Sequence, residues 1–133
     1  MLSVALLTVS CSQSKAPLAD ELDHYTDKGD GCPQVVSAIS YADEALKVAG
    51  QEHYQVFDDA VRSKIAAVSG TIALEVRDFP SDAARDQARK VARLADDTAA
   101  RSAKGDRRVR LLREYRREAI GLVLVCSQEV PGL

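Results

Sequence analysis

Three thiols, Cys11, Cys32 and Cys126, carry most of the chemistry available to this 133-residue chain. A thiolate can take a lipid, ligate a metal or join a second thiol. Metal ligation needs several donors at short spacing, and the two histidines, His24 and His53, have no partner at such spacing. Asp58-Asp59 and Asp96-Asp97 are adjacent pairs. Neighbours on a helix do not face one another, so neither pair converges on one ion, and both read as solvated faces. There is no P-loop, no Gly-x-Gly-x-x-Gly and no Gly-x-Ser-x-Gly, and no base can be assigned to a nucleophilic serine. The sequence therefore points to no catalytic residue, no cofactor and no metal site, and the expectation is a non-enzymatic protein.

Cys11 stands directly behind the apolar run Leu2 to Val9 and directly ahead of the polar Ser12-Gln13-Ser14-Lys15. The run is too short to span a bilayer, which needs about 20 apolar residues, but it has the character of a secretory leader. Residues 7–11, Leu-Thr-Val-Ser-Cys, resemble the lipobox of bacterial lipoproteins. That resemblance implies a signal peptide over 1–10, lipidation of Cys11 and a tether over 11–16, with the domain anchored outside the cytoplasmic membrane. It is confined to the leader. Thr8 occupies the place where a lipobox usually carries Leu, Val or Ile, and no Lys or Arg precedes Lys15. The plainer alternative is an apolar N-terminus with an incidental cysteine. The Ala-, Arg-, Asp- and Val-rich usage suggests a high-GC bacterium such as an actinobacterium.

If Cys11 carries lipid, Cys32 and Cys126 remain as a pair, and export favours joining them. The elements that would position them are helical. Helix formers abound, Trp is absent and only two Phe occur. Residues 17–133 are expected to form one all-α domain, an up-down-up-down four-helix bundle with a short extra helix over 17–28. The next helix should open near Pro33 with the stripe Val35, Ile39, Ala42, Leu46, Ala49 and end at Gly50. A helix over about 53–78 should carry Phe57, Val61, Ile65, Val68, Ile72, Val76 and Phe79, with Gly70 marking a close contact or bend. Pro80 and Ser81 should start a helix over about 81–104, with the small-residue face Ala84, Ala88, Val91, Ala95. Asp106 is the predicted N-cap of the last helix, about 107–128, whose inner face reads Val109, Leu112, Tyr115, Ala119, Leu122, Cys126. The run Ile120 to Val125 is apolar almost all round and is expected to be the most buried part. In this topology Cys32 and Cys126 each extend an inward stripe at the same end of the bundle, which predicts a Cys32–Cys126 disulfide.

A formal net charge of −2 conceals an asymmetry. Residues 18–59 hold ten acids and two bases, whereas residues 85–118 hold twelve bases and six acids. One expectation is that these regions pair across grooves. The other concerns Arg110, Arg113 and Arg117, which recur at three and four and line one helix face. Such a stripe suits anionic lipid, phosphate-rich envelope polymer or an acidic protein. Nucleic acid is a poorer partner, because the chain is acidic overall and no aromatic platform interleaves with the arginines.

The function expected is a disulfide-closed envelope lipoprotein presenting a charged surface to a cell-envelope or protein partner. Anchoring to the cell membrane by the lipid is the expected location, with secretion the alternative. The competing reading is a carrier holding an apolar ligand or haem between its helices. Size, helix content and cysteine placement are similar to exported haem-binding helical proteins of actinobacteria, which use Tyr and His ligands. His53-Tyr54 is the pair that would serve, or else it is simply a polar helix start.

Overall fold

The computed structural model describes residues 31–130. The predicted signal peptide, the Cys11 tether and the helix over 17–28 lie outside the described residues, which form four α-helices. These are α1 (Gly31–Asp43), α2 (Asp59–Glu75), α3 (Asp82–Ala99) and α4 (Gly105–Glu129), with 3-10 turns at Glu52–Tyr54 and Val76–Asp78. Each helix packs on the next, giving the expected bundle. The inward stripes meet as predicted: Val35, Ile65, Val68, Val91, Leu112 and Leu122 are all fully buried. The small face of α3 is equally closed, since Ala84, Ala88 and Ala95 have no exposed surface.

The helix boundaries differ from the periodic reading, and each difference has a local cause. α1 stops at Asp43 instead of Gly50. The Ala45 and Leu46 amides make tight turn bonds to the Ala42 and Asp43 carbonyls, and the Gln55 side chain takes the Lys47 amide and the Ala45 carbonyl. Leu46 is thus only half-buried, Ala49 is exposed, and Gly50 turns the chain with φ +94°. Pro33 is the third residue of α1, not its first.

α2 begins at Asp59 rather than near 53, because the Asp58 carboxylate accepts the Val61 amide at 2.9 Å and fixes the N-terminus there. Phe57 therefore precedes the helix and lies beneath the Arg108 guanidinium, 4.6 Å from its ring centre. Gly70 marks no close contact, as a Cβ there would meet open space.

Ser81 caps α3 as expected, accepting the Ala84 amide at 3.1 Å. Its hydroxyl also donates to the Glu129 carboxylate at 2.7 Å, tying the start of α3 to the end of α4. α3 ends at Ala99, five residues short of the expected 104. Arg62 of α2 donates to the Ala99 and Ala100 carbonyls at 3.1 and 3.0 Å, so a side chain from a neighbouring helix satisfies that C-terminus. α4 starts at Gly105, with Lys104 in the N-cap position, and Asp106 sits in the first turn instead of capping it.

The most consequential difference is at the end of α4. Leu122 is fully buried, but Ile120 is 59% exposed and Leu124 57% exposed. The run expected to be most buried faces outward on one side, since Ile120 and Leu124 continue the exposed face of α4 that carries Arg113 and Arg117 and border an apolar cleft between α1 and α4.

Candidate functional site

Cys32 near the start of α1 and Cys126 near the end of α4 stand at disulfide-bonding distance, with sulfurs 2.09 Å and Cα atoms 5.7 Å apart. Both are fully buried. The pairing follows from the bundle: residues of two inward stripes, at the same end, in helices of opposite direction. It closes a loop of 94 residues, for which loop-closure entropy gives on the order of 4–5 kcal/mol.

Above the disulfide the seam between α1 and α4 opens into an apolar cleft of about 490 Å³. Ala119, nearly buried, and Ile39 contribute its floor, while Leu46, Val48, Ile120, Val123 and Leu124 line its walls. Its polar groups are Ser40, Asp43, Lys47 and Arg116. None of the lining residues is a His, Tyr, Cys or Met.

A buried carboxylate holds the polar end together. Glu52 is 4% exposed. It accepts the Gly50 amide at 2.9 Å and Arg113 Nε at 3.3 Å, and lies 3.6 Å from Arg116. Burial works against its charge, but the Gly50 amide, its own amide and the two arginines outweigh burial and hold its pKa below the ordinary glutamate value. Arg116 also donates to the Lys47 carbonyl, so its guanidinium ties the 44–50 connection to α4. Its side chain is 10% exposed, and its Nε finds no hydrogen-bond partner among the described residues. The Tyr115 hydroxyl, also buried, is likewise unpartnered. Burial foremost, then the Asp43 charge, pushes that hydroxyl above the usual tyrosine range.

Arg110, Arg113 and Arg117 are all exposed on α4, as their spacing predicts. Two of them have partners: Arg113 meets Glu52, and Arg117 lies 3.7 Å from Glu118. The stripe does not end at Arg117. Continuing at three and four, it reaches Ile120 and Leu124, so one face of α4 is basic for its first part and apolar for its last. The expected pairing of acidic early segments with basic late ones is realised at Glu52, and again at Asp59, which meets Arg101 at 2.8 Å.

Asp58, Asp59, Asp96 and Asp97 are exposed. His53 and Tyr54 are exposed too, their rings 3.8 Å apart, and neither lines the cleft. Among the described residues no group of three His, Cys, Asp or Glu side chains is placed to hold a metal ion, and no helix is long and apolar enough to cross a membrane. Cys11 lies outside the described residues.

Sequence reasoning missed Glu52 and the cleft. Nothing local distinguishes Glu52 from a surface glutamate. The cleft left one trace, since Ile120 and Leu124 fall outside the inward stripe of α4 and had no assigned neighbour.

Fold and site together define a small all-α bundle closed by one cysteine pair, with an apolar cleft along one seam and a basic stripe running into it. No family model matches the chain, and no curated protein or solved structure matches it either.

Proposed function

We propose that this protein is an exported, lipid-anchored binding module of a bacterial cell envelope that performs no chemistry of its own. It would be held at Cys11 and would offer the α4 face to an envelope component. The observation that carries the reading is the Cys32–Cys126 pair, fully buried and at bonding distance. Buried disulfides persist in oxidising compartments and are rare in the cytosol. The lipobox-like leader supports the same location from an independent part of the chain. With two or more acyl chains on Cys11, at about 0.8 kcal/mol per buried methylene, anchoring would be close to permanent.

Intact mass measurement on native protein tests this directly. The expected mass lacks residues 1–10, gains a diacylglycerol and loses two hydrogens to oxidation. Cys11→Ala should move the protein from the membrane to the soluble fraction. A native chain that keeps residues 1–10 with all three thiols reduced would refute the proposal.

The carrier reading survives in altered form. The α3 alanines Ala84, Ala88 and Ala95 are fully buried, whereas the α1–α4 seam, with Ala119 at its floor, supplies an apolar cleft at the surface. With no haem-ligating side chain on its walls, that cleft favours an apolar ligand over haem.

A further inference from the structure

The α1–α4 cleft has the features of a site for one kind of molecule. Its volume of about 490 Å³ falls within the roughly 300–1,000 Å³ of small-molecule sites, which combine mostly apolar walls with a few convergent polar groups. Along α4 its lining runs from Arg116 to Leu124, about 12 Å at 1.5 Å per residue. Much of its wall is α-helix, whose backbone groups are already hydrogen-bonded within the helix. Such a wall offers an extended peptide few main-chain partners, whereas a hydrocarbon chain requires none.

The charged groups Asp43, Lys47 and Arg116 are gathered at one end. Lys47 and Asp43 are exposed there, and Arg116 lies beneath them with an Nε that has no hydrogen-bond partner among the described residues. Arg113 and Arg117 stand exposed on the same α4 face as Ile120 and Leu124. Of the neighbouring carboxylates, Glu52 is consumed by Arg113 and Arg116, and Glu118 lies between Lys90 and Arg117. The cleft lining itself carries two cations, the exposed Lys47 and the nearly buried Arg116, against one carboxylate, Asp43. A ligand that satisfies both ends has an apolar tail and an anionic head.

We propose that this cleft binds a single linear acyl chain with a carboxylate or phosphate head, the tail against Ile39, Ala119, Ile120, Val123 and Leu124 and the head at Lys47. The molecule is taken up as a free amphiphile, one chain per protein. This deepens the carrier form of the binding-module reading. It does not depend on the lipid anchor, so fractionation tests the one and titration the other.

The test uses mature protein with Cys32 and Cys126 oxidised, titrated with palmitate and with a single-chain lysophosphatidate below their micellar concentrations. Saturable binding at one chain per protein is expected for both heads, and for one alone if the site reads head geometry. Ile120→Glu and Leu124→Glu alter exposed side chains, so the fold should be kept, as circular dichroism will show. Each should weaken binding by about tenfold or more, a loss of roughly 1.4 kcal/mol. Lys47→Glu should weaken palmitate by about tenfold yet leave hexadecanol unchanged. Equal binding by parent and both glutamate variants, or no saturable binding of either probe, would overturn the proposal. Binding to anionic vesicles without binding to monomeric amphiphiles would also overturn it and assign this face of α4 to the bilayer surface.

Discussion

Glu52 and Arg113 meet at 3.3 Å across 61 residues of sequence, with the carboxylate buried and the guanidinium half in solvent. Their contact, with Arg116 completing it, binds the irregular 44–58 connection to α4, and Arg116 carries it to the polar end of the cleft. A charge taken out of water is tolerable only where hydrogen bonds and opposite charge replace its hydration. Here the Gly50 amide and two arginines do so.

Glu52→Gln should therefore destabilise the fold, by roughly 1–3 kcal/mol, because Arg116 loses its counter-charge while remaining nearly buried. Urea unfolding at neutral pH measures this. The pH dependence has a definite sign. A carboxyl whose folded pKa is depressed contributes stability above its unfolded value, near 4.5, and loses it as pH falls through the folded value. The parent should lose its advantage over Glu52→Gln progressively below about pH 5. An unchanged difference down to pH 3 would show that the charge of Glu52 is not what stabilises the site.

Reducing the Cys32–Cys126 pair, or replacing both cysteines by Ala, should cost about 2–5 kcal/mol, with the helices retained at low temperature. Thermal melts of the parent, with and without reductant, and of the double variant report it. The double variant should be insensitive to reductant, and equal midpoints for all three would show that the link contributes nothing.

Gly31 has no room for a side chain. A Cβ there would fall 2.5 Å from the Glu75 carbonyl oxygen and 2.5 Å from the Phe79 ring. Gly31→Ala should destabilise by about 1–3 kcal/mol through overpacking. Phe79→Leu in the same chain should recover only part of this, since the backbone oxygen remains. A neutral Gly31→Ala would mean that the start of α1 shifts freely.

Much of the fold was legible in the sequence because helical period is a local property. Val61, Ile65, Val68 and Ile72 recur at four and three, and burial of that face needs no knowledge of distant residues. The same period carried Cys32 and Cys126 onto inward stripes, and an up-down-up-down order then places both at one end of the bundle. Boundaries were less legible. Arg62 stops α3 from another helix, and Gln55 helps turn the chain after α1, and neither contact has a local signature.

Residue types and their spacing by themselves determined that the chain is all-α, which faces turn inward, and that its two later cysteines belong together, since each depends on helical period and chain direction. Only the tertiary structure decided that Glu52 is buried, that α1 ends early, and that Ile120 and Leu124 border an open cleft. Those outcomes depend on which side chains meet across gaps that run from eight residues, for Gln55 and Lys47, to 61, for Glu52 and Arg113. Pairing of that kind is set by packing in three dimensions, which no periodicity along the chain encodes.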